Sequence, residues 1–280
     1  MRLDEERESS NVEDQRGGGV GLTIGGRGIG TIAIAMYFSV DPSVVLNISQ
    51  GSQHNVPAEA QAIPANDPMA KFVAKVLAST KYTWGKIFAA SGQQYPASKL
   101  VLFTGQTPTV CGSGQAASGP FYCPDDQKIY IDLSFYQEMK TRFHAPDDFA
   151  QAYVIAHEVG YHIQNLMGTS DKVQNARLNA CSEGQSNQYS VRLELQADCY
   201  AGVWAMHADG ADRILEAGDV EGAMTAAAAI GDDALQKQAQ GYAIPDSFAH
   251  GTSAHRTHWF NQGLSSGGIK KCDTFCTAAI

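Results

Sequence analysis

The sequence predicts an α+β fold, mainly helical around a small sheet, on two observations. Two strand-like runs, KLVLFTG (99–105) and KIYIDLS (128–134), lie close together in the first half of the chain. Beyond them, apolar residues recur at helical spacing almost to the end. Few strands followed by many helices is the pattern of an α+β domain. A chain of 280 residues, 44% hydrophobic and 18% charged, can bury one full core and still carry appendages.

Taken in order, residues 1–27 read as a polar, then glycine-rich tail, with six acidic residues among the first sixteen. The run GIGTIAIAMYFSV (28–40) follows, 13 uncharged and mostly apolar residues. A membrane-spanning helix needs roughly 17–25. Starting the span near Arg27, whose side chain can reach the headgroups, brings the stretch close to that length. A membrane anchor over 28–46 is therefore expected, with the membrane as a partner and the main domain outside the cytoplasm, in the periplasm or cell envelope. The competing reading is a buried element of a soluble domain. A cleaved signal peptide fits poorly, because the charged lead is long and acidic. Residues 47–67 read as a linker, rich in Ser, Gln, Asn and Pro.

The main domain is expected to run from 68 to 280. Asp67 can cap its first helix and Pro68 suits the first helical position. Phe72, Val73, Val76, Leu77, Trp84, Ile87 and Phe88 then repeat along one face. After the two strands, helices are expected just after Ser134, from about 146 to 167 and from about 186 to 208, with shorter ones to the end.

Charge and cysteine content narrow the function. A net charge of −9 with no long Lys/Arg run argues against nucleic acid as a partner. The glycines of GGGVGLTIGGRGIG follow no buried strand, so they do not make a dinucleotide fingerprint. Six cysteines, at 111, 123, 181, 199, 272 and 276, suit disulfides in an oxidising compartment, with buried free thiols as the alternative. Pairing nearest neighbours predicts Cys111–Cys123, Cys181–Cys199 and Cys272–Cys276.

The chemistry concentrates in VIAHEVGYHIQ (154–164). Two histidines at i and i+4 on a helix lie about 40° apart and can reach one ion, while a glutamate after the first can take a proton from the attacking water. Here His157 and Glu158 are in place, Tyr161 stands at i+4, and His162 follows one step late. At i+5 its side chain points about 140° away from His157 unless a π-bulge re-phases the turn. Taken alone, this is weak evidence for a metal. Downstream, RLELQADCYAGVWA (192–205) puts Glu194 and Asp198 on one face of an otherwise apolar helix. Buried carboxylates need partners, and a metal and a histidine would serve; a solvated acidic stripe is the bland alternative.

These pieces, with RESSNVEDQRG, VDPSVVL, YCPDDQKIYIDLSFY, IGDDALQKQAQG and HGTSAHRTHWFNQG, make the chain resemble the bacterial neutral zinc metallopeptidases. The resemblance implies a zincin-like domain of the glutamate-ligand type, a zinc cofactor and a peptide or protein substrate. Carried over, His157 and Glu194 would be zinc ligands, Glu158 the general base and Asp198 the holder of a ligand histidine. Tyr161 departs from the family pattern, standing where the second zinc-binding histidine belongs, so it is a doubtful ligand that should weaken zinc binding and activity. His250, in FAHGTSAHR, is a candidate to stabilise an oxyanion, with a packing role as the alternative. An extended substrate is expected along KIYIDL. The other reading is a catalytically inactive member of the fold that binds or scaffolds in the cell envelope.

Overall fold

Helix α1 (Pro68–Ala90) begins as its sequence requires: the Asp67 carboxylate accepts from the Ala70 N–H at 2.9 Å, and Pro68 takes the first turn, where no amide proton is missed. The computed structural model describes residues 1–3, 6–16, 63–143, 145 and 147–276. The expected anchor at 28–46 lies outside the described residues, as does the linker as far as residue 62. Among the described residues, no helix is long and apolar enough to cross a membrane.

A four-stranded sheet runs in the order β1 (Val12–Asp14), β2 (Lys99–Phe103), β6 (Lys128–Asp132), β5 (Phe121–Cys123). The first three are parallel and β5 is antiparallel to β6. Strands β3 (Gln106–Thr109) and β4 (Gly112–Gln115) form a separate hairpin. Leu100, Leu102, Ile129 and Ile131 face the main core, while Val101, Phe103 and Tyr130 alternate to a smaller cluster on the other face.

The remaining helices are α2 (Ser134–Thr141), α3 (Asp148–Leu166), α4 (Thr169–Leu178), α5 (Glu183–Asp212), α6 (Asp219–Ala229), α7 (Asp232–Gln240) and α8 (Ser253–Ser266). The mainly helical α+β architecture expected from the sequence is what the structure has. Trp84 of α1 meets Tyr200 of α5 edge to face, and Phe149 of α3 stacks on Trp204, so α1, α3 and α5 share one core.

Two expectations need correcting. Residues 12–14, read as part of a polar tail, are an edge strand of the sheet. Three residues alternating Val, Glu, Asp carry too little apolar periodicity to announce a strand. The second correction concerns the disulfides. Cys111–Cys123 forms as expected, but Cys199 pairs with Cys272, and Cys181 and Cys276 are free and exposed. Cys199 lies on a helix that starts at Glu183, about 24 Å along its axis, far beyond the roughly 7 Å that a disulfide spans between Cα atoms. Cys272 instead lies beside it, 5.5 Å between Cα atoms, and both are fully buried. Peptide mapping of the oxidised, alkylated protein should therefore recover Cys111–Cys123 and Cys199–Cys272 as linked pairs, with Cys181 and Cys276 alkylated. Recovery of a Cys181–Cys199 peptide would refute this arrangement.

Candidate active site

Three side chains of α3, Tyr153, His157 and Tyr161, repeat every four residues and so line one face. Helix α5 crosses that face closely because Gly160 has no side chain: a Cβ there would lie 3.0 Å from Ala197 Cα. Helix α8 is seated on α5 by a reciprocal pair of glycines. A Cβ on Gly202 would lie 2.1 Å from Phe260 O, and one on Gly263 would lie 1.9 Å from Cys199 O. The two crossings bring Glu194 and Asp198 of α5 between His157 of α3 and Arg256 of α8.

The contacts within this cluster are short and buried. His157 Nδ1 lies 2.8 Å from Asp198 Oδ1, which fixes the ring, and His157 Nε2 lies 3.4 Å from Glu194 Oε2. Arg256 donates to both Asp198 oxygens at 2.9 Å through Nε and Nη2, a bidentate pair, and comes within 3.9 Å of Glu194. Tyr153 donates to Asp198 Oδ1 at 2.5 Å. The Tyr161 hydroxyl donates to Glu194 Oε1. Asp198 is fully buried, and Arg256 is 2% exposed.

The electrostatics follow from this packing. Burial alone would raise the Asp198 carboxyl, but the Arg256 guanidinium and His157 outweigh it and hold the carboxyl well below the usual carboxylate range. Burial likewise opposes ionisation of Glu194, and His250 and His157 overcome it, setting Glu194 at about 2. For His157, burial disfavours the imidazolium, yet Asp198 and Glu194 raise it to about 9. Glu158 goes the other way: burial pushes it up to about 8, with the charge of His157 only partly offsetting. Burial, with Glu194 and Glu158 adding to it, raises the Tyr161 phenol well above its ordinary value. The metal-free cluster thus sets the Arg256 guanidinium and the raised His157 imidazole against the lowered carboxyls of Asp198 and Glu194, while burial favours the neutral forms of Glu158 and Tyr161.

The other histidines fall as follows. His162 faces away from the cluster, as its spacing implies: Nδ1 lies 3.0 Å from the Tyr122 hydroxyl and Nε2 lies 2.6 Å from Pro96 O. No π-bulge interrupts α3. His250 lies on the loop before α8, where Asp232 makes two contacts to it and one to Gly251. The Asp232 carboxylate accepts from the His250 N–H (2.6 Å) and the Gly251 N–H (2.9 Å), and lies 3.1 Å from the ring Nδ1. Burial lowers the pKa of this ring, and the charge of Glu194 is the largest of the influences that raise it above its ordinary value.

Tyr153, Asp232 and Arg256 belong to this arrangement and were not among the sequence candidates. Arg256 gave one signal, a cation three residues before the apolar pair Trp259–Phe260 on a short helix. Asp232 and Tyr153 gave none that separates them from an ordinary helix start and an ordinary core aromatic.

A zinc ion is the group the sequence resemblance implies, and the donor set can be tested against it. His157 Nε2, held by Asp198 through its other nitrogen, converges with a Glu194 oxygen in a buried place, and the Tyr161 oxygen lies on the same carboxylate. A nitrogen and a carboxylate oxygen that close share either a proton or a cation. Among the described residues no group of three or more His, Cys, Asp and Glu side chains is placed to hold a metal ion. Toward zinc the cluster offers two strong donors, an imidazole nitrogen and a carboxylate oxygen, and a phenol in place of a third.

Comparison with known proteins bears on the same point. The family model described as "Putative neutral zinc metallopeptidase" matches residues 1–275. "Uncharacterized protein YpfJ" of Escherichia coli (strain K12) is 46% identical, over 98% of this chain and 99% of its own. "Uncharacterized protein Rv2575" of Mycobacterium tuberculosis (strain ATCC 25618 / H37Rv) is 40% identical, over 66% of this chain and 65% of its own. No solved structure matches the chain. By a match that spans nearly its whole length, the chain belongs to the neutral zinc metallopeptidase family.

Proposed function

We propose that the protein is a zinc-dependent peptidase of reduced metal affinity, which hydrolyses peptide bonds at the cluster formed by His157, Glu158, Glu194 and His250. The observation that carries this reading is the pair His157 Nε2 and Glu194 Oε2, 3.4 Å apart and backed by Asp198. His157 and Glu194 would hold the ion, with the Tyr161 oxygen as a weak third donor. Zinc, when bound, acidifies water and polarises the peptide carbonyl.

The chain's own residues carry the rest. Glu158, next to His157 and buried, takes the proton of the attacking water and delivers it to the leaving amine. Its raised pKa of about 8 belongs to the metal-free site; a nearby divalent cation favours the carboxylate that a base requires. His250, fixed by Asp232, supplies a ring N–H to the oxyanion. Asp198 and Arg256 touch no substrate and position His157 and Glu194.

The substrate's place differs from the sequence expectation. Strand β6, which carries KIYID, is interior to the sheet, paired with β2 on one side and β5 on the other. The edge strand on the site's side is β5, whose Tyr122 backbone amide favours the ionised Glu158 carboxyl. We infer that an extended peptide lies along β5 and adds to its free edge.

Glu158→Gln is expected to lower hydrolysis of a fluorogenic peptide library by about 100-fold or more while leaving bound zinc unchanged, since it removes a base and not a ligand. Glu194→Ala should lose the zinc itself. Elemental analysis and turnover on the same samples separate the two. Equal metal loss in both variants would overturn the assignment, and zinc-loaded protein with no turnover on any peptide would favour a binding role.

A further inference from the structure

Residues 9–16 are built into the domain. Ser9 N donates to Ala74 O (3.1 Å), Leu100 N to Asn11 O (2.9 Å) and Gln15 N to Leu102 O (2.8 Å). Strand β1 pairs with β2 in parallel register, Val12 opposite Leu100 and Asp14 opposite Leu102. Glu13 accepts from Lys99 at 2.7 Å and from Lys128 at 2.8 Å, so it ties β1 to two strands. Leu3 is 7% exposed and part of the core, and its carbonyl accepts from Lys75 of α1. Arg16 binds Asp14 and, at 2.7 Å, the Asp67 carboxylate that caps α1. Arg16 and Asp67, on either side of the interval 17–62, are thus joined by an ion pair.

We infer that residues 1–16 and the domain from Ile63 onward lie on one side of any membrane the protein meets, so that the chain makes no single crossing between them. A strand cannot pair with β2 at about 4.8 Å through a hydrocarbon layer of about 30 Å. Any odd number of crossings within 17–62 would part β1 from its sheet. An even number needs at least two spans, roughly 34–50 mostly apolar residues. The interval has 46 residues (62 − 17 + 1) and one long apolar run, 28–40; residues 41–62 contain Asp41, Pro42, Pro57, Glu59 and many amides. No return span is encoded. Exchange of β1 between two copies leads to the same conclusion, because the strand and its sheet still need a common side. A single crossing at the apolar run 28–40 is therefore incompatible with the pairing of β1 and β2.

The test uses the full chain expressed in bacterial cells. Glu8 is exposed, so Glu8→Cys places a thiol on the N-terminal segment, and the exposed Cys181 reports on the domain. Intact cells, spheroplasts and lysed cells are treated with a membrane-impermeant maleimide, and labelling at each position is read by mass spectrometry. The two thiols should become reactive in the same fraction, whichever fraction that is. Labelling of one while the other stays protected until lysis overturns the inference. A second variant checks that the strand is docked in solution. Glu13→Lys sets three lysines together and should lower the thermal midpoint by at least about 2 °C. An unchanged midpoint would mean that β1 does not hold the sheet, and the inference falls.

Discussion

Tyr161→His should raise zinc affinity by about two orders of magnitude or more. The reason is the face that position 161 shares with His157, one turn apart on α3 and opposite Glu194. At present this position offers a phenol that burial keeps protonated and that spends its proton on Glu194. Binding zinc through it requires breaking that hydrogen bond and ionising a group whose pKa is raised well above its usual value. A neutral imidazole needs neither and would complete a three-ligand set with the proposed ligands His157 and Glu194. Competition against a chromophoric chelator at pH 7.5 measures the change. His162→Ala serves as the control and should leave affinity within about threefold, because both ring nitrogens of His162 are engaged by Tyr122 and Pro96. If Tyr161→His gains nothing while His162→Ala releases zinc, the ligand face of α3 has been misassigned.

Arg256→Met should cost about 3–5 kcal/mol of stability in the metal-free protein at pH 7, since it keeps side-chain volume and strands a buried carboxylate. Asp198 would retain only Tyr153 and His157. The pH dependence has a definite sign. In the parent, Asp198 is held well below its unfolded pKa, so its contribution is present above about pH 3.9 and lost only in stronger acid. Without Arg256 its pKa rises, and protonation relieves the burial cost as pH falls. The gap between parent and variant should therefore be widest near neutrality and narrow toward pH 4. Urea unfolding at pH 7 and pH 4.5 measures it. A loss below about 1 kcal/mol at pH 7 would show that Arg256 does not hold Asp198 ionised. Asp198→Asn combined with Arg256→Met should cost less than the sum of the single changes, because each removes the other's unpaired charge.

The parts of the fold that the sequence announced are those governed by local rules. The cap and proline of α1, the alternation in β2 and β6, and the long periodic stretches of α3 and α5 depend on neighbours within a few residues. Helix α5 extends somewhat beyond both expected ends, where Ser182 caps it and Arg213 stops it in the left-handed region. What stayed hidden depends on contacts between distant residues. Strand β1 becomes a strand only because β2 lies beside it. Cys272 reaches Cys199 only because the C-terminal segment runs back along α5, an arrangement no spacing rule encodes. In the site, helical spacing put Glu194 and Asp198 on one face of α5, but joining them to His157 and Glu158 on α3 came from the family resemblance. Arg256 came from a third helix, whose placement rests on two glycines rather than on any motif.

Those glycines give the site a fixed mechanical reference. Gly202 and Gly263 bring the backbones of α5 and α8 into direct contact, with Cys199 both at that contact and in the disulfide to Cys272. Where helices meet through side chains, swapping one core residue for a larger one slides them apart by a fraction of an ångström. A contact between backbones contains no side-chain volume to vary. The separation of Asp198 and Arg256 is thus referenced to main-chain geometry, and the surrounding core can drift in composition while the tolerance at the ion pair stays constant. Substitutions that fill the core elsewhere should be absorbed as shifts of α1 or α6, leaving the spacing on which His157 depends unaltered.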